Sequence, residues 1–502
     1  MSATVIALMF GALIALYYYL TKNYKYWQSR GIPCPDGALP GLGHMLSVIS
    51  MKMPFTEYLR KLYQNNKDRS MVGFYNFVTP TLLVLEPELV KTVLQTNFAN
   101  FNENPFQVDP EVDPLRAHNP FVNTGEKWLS GRKKLTYAFS TTRLKLLLES
   151  IKSVCNKLDN FLDEKLSKTG KVEIELKDLC SRYTAQVVAA AGFGVDGYCF
   201  DDKNADKSFR KIGSAIMEPS LRTNIMFFLL FFIPSLNKFL KMPFIPKYID
   251  RFLRTLVAEL LEQRRADGIP RNDFLYLMVE LEKIEGDKFD TEVLAAQALS
   301  FIVDGYETTS TVLSFACYNI ARHPEVQKKL REEVTTVLDK YDGVITYEAL
   351  KEMTYMDQVL NESQRFVHVA GFMAKVCTKE IELKGSDGLV CCVEPGMQVM
   401  ISVQGLHEDP RYWENSEEFD PERYIPDKKN SIEKFAFLPF GEGPRMCPGM
   451  RMALLIVKAG LAALLQKYTL ELSPKTQQPV KMVAGTILVT PKGGLWVNIQ
   501  KL

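Results

Sequence analysis

The chain has 502 residues, 46% hydrophobic and 24% charged, a composition of folded globular proteins rather than disordered or fibrous ones. Its 61 Lys and Arg against 59 Asp and Glu leave a formal charge of +2, so no basic excess points to nucleic acid. Nine cysteines, odd in number and thinly spread, argue for free thiols in a reducing compartment and against a secreted disulfide framework.

Residues 3–20 read ATVIALMFGALIALYYYL, 18 residues without a charge. As a helix this run spans roughly 27 Å, close to the thickness of a thin bilayer core. Lys22, Lys25 and Arg30 follow at once and no basic residue precedes, which places the C-terminal side in the cytosol. Tyr17, Tyr18, Tyr19 and Trp27 suit an interfacial belt. A cleaved signal peptide lacks support: there is no charged leader and no small-residue cleavage site. Pro33, Pro35 and Pro40, set among glycines, then predict a stiff neck that no helix crosses.

Further along, residues 70–86 alternate loosely and predict two short strands. Helical periodicity dominates from about 87 to 365, and strand-like runs return at 376–403 and 480–500. The expected fold class is mainly α with small β regions. Within the helical part, residues 225–233 read IMFFLLFFI and precede Pro234, Pro243 and Pro246. The run is too short to span a bilayer. It is either a buried helix or a surface patch dipping into the membrane beside Lys238, Lys241 and Lys247.

The chemistry concentrates at 440–449, FGEGPRMCPG, where Phe440, Gly443, Arg445, Cys447 and Gly449 are set before a helix. Glycines let the backbone approach a flat cofactor. Amides at a helix start favour a thiolate, and a thiolate so placed suits haem iron. Arg445 can meet a carboxylate. This FxxGxRxCxG pattern resembles the haem-ligand loop of the cytochrome P450 family of haem-thiolate monooxygenases, and the likeness extends over about residues 30–500.

Other motifs match in order. Glu362 and Arg365 form an ExxR on one helix face, and Arg423 lies in the PERF-like FDPERY; the resemblance implies a buried triad bracing the cysteine loop. Asp304 to Thr309, DGYETT, resembles the oxygen-activation motif, with Thr308 and Glu307 as proton-delivery pair. Asp304 stands where relatives more often have alanine; it is open to a relay, a substrate contact or an ion pair. Trp128 and Arg132 match WxxxR, which implies a propionate contact, and Lys375 falls where many relatives have a second propionate-binding arginine. His407, in LHEDP, reads as structural. His368 departs from the proline usual after ExxR and reads as a backbone-bonded loop residue or as one near the active site. Asn361 heads a formal glycosylation sequon that a cytosolic body leaves unmodified.

The resemblance thus implies an N-terminal membrane anchor (1–21), a neck (22–45) and a haem-thiolate catalytic domain (46–502). The cofactor is haem b, with dioxygen as co-substrate. NADPH electrons arrive through a separate reductase, and cytochrome b5 is a second candidate partner. The location is the endoplasmic reticulum membrane. Phe106, Phe121, Phe301, Asp304, His368 and Phe372 are candidate pocket residues for a lipophilic substrate. The general likeness is to the insect branch. Two alternatives stay open: an oxygen-independent isomerase or dehydratase, and a haem-binding carrier or sensor.

Overall fold

The computed structural model describes residues 3–502 except 107, 168–169, 218–219, 233–238, 287–288 and 487. Helix α1 (Ala3–Thr21) leads the chain. It carries a window, Thr4–Thr21, that is long and apolar enough to cross a membrane, and none of that window is buried against the protein. Its end meets the body where the Gly41 N–H donates to Leu20 O at 3.3 Å. Helix α2 (Phe55–Asn65) follows, then strands β1 (Met71–Asn76) and β2 (Thr79–Val84).

The helical region runs through α3 (Pro114–Ala117), α4 (Gly125–Ala138) and α5 (Thr141–Leu166) to strand β3 (Lys171–Glu175) and α6 (Leu176–Val187). Then come α7 (Leu221–Phe232), α8 (Lys247–Asp267) and α9 (Phe274–Glu285). The central helix is α10 (Thr291–Ser300), a π turn (Phe301–Tyr306) and α11 (Glu307–Arg322). Its residues are buried almost all round, as a core helix requires. It stops at His323 because Pro324 denies continuation.

Helix α12 (Pro324–Asp339) and α13 (Thr354–Phe366) lead to strands β4 (Phe372–Val376), β5 (Ile381–Lys384), β6 (Val390–Val393) and β7 (Gln398–Ser402). After α14 (Val403–Glu408) and a long loop come α15 (Met450–Lys467), β8 (Tyr468–Leu472) and β9 (Trp496–Lys501). One sheet has the order β1-β2-β7-β4, with β2 and β7 parallel and the other pairs antiparallel. A second has the order β3-β9-β8, and β5 pairs with β6. The helices share one large core and the first sheet covers a second, smaller one.

Two readings change, and a third divides. Trp27 does not sit at a membrane interface. It is 0% exposed, in the sheet-side core, and its Nε1 donates to Phe74 O at 3.1 Å. Its ring lies where a side chain on Gly73 would stand, so the residue after the anchor is spent on packing. The neighbouring Ile32 and Met45 are buried in the same core. Strand β3 interrupts the stretch read as helical, because its partner β9 lies over 300 residues away. Of the 225–233 run, α7 holds residues up to Phe232; Met226 and Leu229 are buried while Ile225 is exposed. Residues 233–238, with Pro234 and Lys238, lie outside the described residues.

Candidate active site

The cysteine loop is held at both ends. The Cys447 N–H donates to Phe440 O at 2.9 Å and closes the loop on itself. Gly443 has φ +79°, and a Cβ there would fall 1.9 Å from Leu94 O, so only glycine lets the loop press against that carbonyl. Cys447 lies just before α15, and the Gly449 and Met450 amides turn to its sulfur. Burial pushes the thiol up; those amides and Arg132 pull it down, while Asp304 adds to the rise. The ring of positions from Phe440 to Gly449 is deep yet only partly covered, apart from exposed Pro444 and Pro448.

Three cations gather beside the loop. From α4, Arg132 Nη1 donates to Met446 O at 2.6 Å. Arg445 Nη2 donates to Asn123 O at 2.7 Å, and its guanidinium stacks on Trp128 at 4.5 Å. From β4, Lys375 Nζ donates to Asn104 Oδ1 at 2.8 Å. Among the described residues none of the three has a carboxylate in ion-pair range, and Arg445 Nε is buried without a partner. Burial, then Arg445, pushes Lys375 down to about 7. Burial likewise takes Arg445 to about 10, with Glu103 opposing and Arg132 adding to the fall. Clustered cations with an orphaned donor call for an anion the chain does not supply.

Behind the loop stands a closed network. Glu362 and Arg365 on α13 are both 0% exposed. Arg365 Nε and Nη2 donate to the two Glu362 oxygens at 2.8 Å each. Its Nη1 reaches His407 O at 3.0 Å and Ser416 O at 2.9 Å, and Nη2 reaches Glu418 O at 3.1 Å. Arg423 Nε donates to Glu362 Oε1 at 3.3 Å, and its other nitrogens donate to Glu414 O and Asn415 O. His407 carries the network forward: its Nε2 accepts the Leu438 N–H at 2.9 Å, two residues before Phe440. Burial, then His368 and Arg365, holds His407 far below its ordinary range, hence neutral.

On the opposite side, the π turn of the central helix carries Asp304 and Gly305. Such turns place side chains that a regular helix cannot. A Cβ on Gly305 would meet nothing within 4 Å, so this backbone borders open space. Thr308 Oγ1 donates to Asp304 O at 2.5 Å, the back-bonding of a helix-interior threonine. Glu307 points elsewhere: its Oε1 pairs with Lys177 Nζ of α6 at 3.0 Å. Lys177 also donates to Ser310 Oγ at 2.6 Å and Thr311 Oγ1 at 2.8 Å.

A thiol facing helix amides, three cations lacking carboxylates and a glycine-lined space opposite are what a haem with two propionates needs. A model of the cytochrome P450 family matches residues 32–497. Cytochrome P450 9e2 of Blattella germanica is 32% identical over 99% of this chain and 97% of its own length. The chain belongs to the cytochrome P450 family. Probable cytochrome P450 28a5 of Drosophila melanogaster is also 32% identical, with 99% of each chain covered. Probable cytochrome P450 6a19 of the same fly is 30% identical over 100% of this chain. Membership of the P450 family implies a haem iron cofactor, use of dioxygen and monooxygenase activity, and the N-terminal apolar helix fits a membrane anchor.

The structure thus brings together Cys447, Phe440, Arg445, Gly449, Trp128, Arg132 and Lys375 around one space, with Asp304 and Thr308 across it. His368 lies behind the P450 cysteine loop. Its Nδ1 accepts the Gly371 N–H at 3.0 Å, its ring meets His407 edge-on at 5.5 Å, and it faces the Leu438 and Pro439 backbone. Phe301 packs between Phe139 and Phe274, and Phe372 against Phe55, all in core positions. Phe106 and Phe121 stack on each other at 5.1 Å, with Phe121 53% exposed. Sequence reasoning missed Lys177. It belongs to no motif; only a cation facing the central helix betrays it.

Proposed function

We propose that this P450 oxidises a lipophilic small molecule with NADPH electrons delivered by a separate reductase, from the cytosolic face of the endoplasmic reticulum membrane. The observation that carries the reading is the cation cluster of Arg132, Lys375 and Arg445, without an ion pair among the described residues, beside a cysteine that faces the amides of Gly449 and Met450. Cys447 would bind the haem iron as thiolate, and the three cations with Trp128 would hold the propionates. Bound there, the haem supplies the iron at which dioxygen is activated. Glu362, Arg365 and Arg423 hold the loop in place, and through His407 they fix its entry at Leu438.

Thr308 offers a hydroxyl on the central helix, one turn after Asp304, for moving protons. Glu307 stands behind it as a reservoir and reaches the cavity only by leaving Lys177. Lys127 and Lys133, exposed on α4 beside Trp128 and Arg132, give a reductase a basic face. Helix α1, with Phe239 and Leu240 exposed on the body, supports membrane attachment with the remainder in the cytosol.

The test is reductase-supported turnover against a panel of lipophiles, with Thr308→Ala alongside. The expected outcome is oxygenated product from the wild-type chain. In the variant a larger share of NADPH use yields no product, while substrate affinity changes little. Fully coupled turnover by the variant places the proton path elsewhere. NADPH consumption without product from any lipophile contradicts the substrate class.

A further inference from the structure

The central helix is buried through residues 294–321 except along one line. Asp304, Thr308 and Val312 are accessible there, with Val303 and Gly305 beside the first. Spacings of four put the three on one face. Accessible positions on an otherwise buried core helix mark an internal space, and a Cβ on Gly305 would meet nothing within 4 Å. Asp304 is the most open of these five positions and the one that carries an ionisable side chain.

Hydrogen bonds tie Asp304 to the cysteine side of that space. Asn119 Nδ2 donates to Asp304 Oδ2 at 2.9 Å. The next residue, Pro120, and then Asn123 accept through their carbonyls from Arg445, at 3.4 Å and 2.7 Å. Arg445 stands two residues before Cys447. The short segment 119–123 therefore spans from the Asp304 carboxyl to the cysteine loop.

Glu307 lies off the accessible line. It is 7% exposed, and its Oε1 pairs with Lys177 Nζ at 3.0 Å. A carboxylate held ionised by a cation only accepts hydrogen bonds and has no proton to give. Among the described residues Asp304 has no ion pair. Its partners are the Asn119 amide and the Ser300 hydroxyl. Burial raises the Asp304 carboxyl above the ordinary range, and Asn119, Arg116 of α3 and Ser300 offset part of that rise. It therefore keeps its proton to a higher pH than a free aspartic acid. The other charges near the π turn are engaged elsewhere. Lys177 holds Glu307, while Arg210 and Lys211, on the packed helix Phe209–Met217, hold Asp178 and Asp206. Across the space stand Cys447 and the cation cluster.

We infer that Asp304, rather than Glu307, is the acid that gives a proton to dioxygen in this cavity. This rests on the haem-thiolate reading of the cavity and deepens it by naming the proton donor. Monooxygenation takes up two electrons, supplied by NADPH, and two protons; one oxygen atom enters the substrate and the other leaves as water. In the step assigned here the Asp304 O–H bond breaks and its proton goes to the oxygen that leaves as water. The carboxylate keeps the electron pair, is held by the Asn119 N–H, and regains a proton from solvent. Thr308, one turn on, donates to Asp304 O at 2.5 Å and keeps its hydroxyl beside this path.

The experiment records the infrared C–O stretch of the reduced, carbon monoxide-bound full chain between about pH 5 and pH 9, with the absorption spectrum taken on the same sample. Carbon monoxide takes the place of dioxygen. A carboxylic O–H aimed at it lowers the stretch, and a carboxylate does not. The wild-type band is expected to move to higher frequency as the pH rises. That shift is expected to be lost in Asp304→Asn, to remain in Glu307→Gln, and to remain with a changed midpoint in Asp304→Glu. Product formation in Asp304→Asn is expected to fall about hundredfold, the contribution of one general acid. A wild-type band that stays fixed, or a shift that survives Asp304→Asn or vanishes in Glu307→Gln, overturns the inference. Where Asp304→Asn does not fold, Asp304→Glu decides: a midpoint equal to that of the wild type overturns it. Absence of a thiolate-type spectrum contradicts the haem reading, whereas a fixed band with that spectrum intact contradicts only the role of Asp304.

Discussion

Behind the cysteine loop, Glu362, Arg365 and Arg423 bond to one another and to the carbonyls of His407, Asn415, Ser416 and Glu418. On the cavity side, Lys375 is buried while Arg132 and Arg445 are half-buried, and among the described residues none of the three reaches a carboxylate as a bonded partner. The charged groups of the first cluster satisfy one another, and the orphaned atoms beside them, His407 Nδ1 and the Tyr424 hydroxyl, are neutral. A buried ion pair of that kind is weak evidence for net stability, but breaking it strands a charge. The second cluster is left incomplete by the polypeptide, and its unpaired donors mark where other molecules bind. The contrast separates residues that hold the site from residues that use it.

The sharpest way to break the comparison is Arg365→Ala, which leaves Glu362 buried with only Arg423 and the Asp420 N–H. Unfolding in urea should show a loss of about 3–5 kcal/mol, or no folded protein at all. A change under about 1 kcal/mol would mean the brace is not needed.

Acid should weaken the brace side next. Burial holds His368 down to about 4 from an ordinary value near 6.5. Between those values the unfolded chain takes up a proton there that the folded chain refuses. Stability is therefore full above about pH 6.5 and falls as the pH drops toward 4, by about 2 kcal/mol at pH 5. Urea midpoints at pH 7.5 and pH 5 check this, with His368→Gln expected to flatten the dependence. An equal slope in the variant would assign the acid sensitivity to other groups.

The cavity side responds in another quantity. Lys375→Gln removes one cation from a like-charged cluster and should speed haem release to an acceptor globin about tenfold, the loss of one charge-assisted contact. An unchanged release rate would remove Lys375 from the propionate site.

Much of this was legible in the chain itself because the relevant residues sit close in sequence. Trp128 and Arg132, Glu362 and Arg365, and the ten residues ending at Gly449 each carry their geometry in local spacing. The resemblance to the P450 fold rests on them, and the uncharged run 3–20 marks the apolar helix at the start. What stayed hidden depends on distant partners. Trp27 reads as a membrane-belt aromatic until Gly73 is seen to make room for its ring. Strand β3 reads as helix until β9 pairs with it. Glu307 reads as facing the cavity until Lys177, 130 residues away, appears beside it.

The central claim is that Cys447 ligates a haem iron held between the braced loop and the central helix. Its most direct test is the absorption spectrum of the reduced, carbon monoxide-bound chain, beside that of Cys447→Ser. The account predicts a red-shifted thiolate-type Soret band in the wild-type chain and its loss in the variant. A histidine-type band in the wild type, or an unchanged thiolate band in the variant, would contradict it.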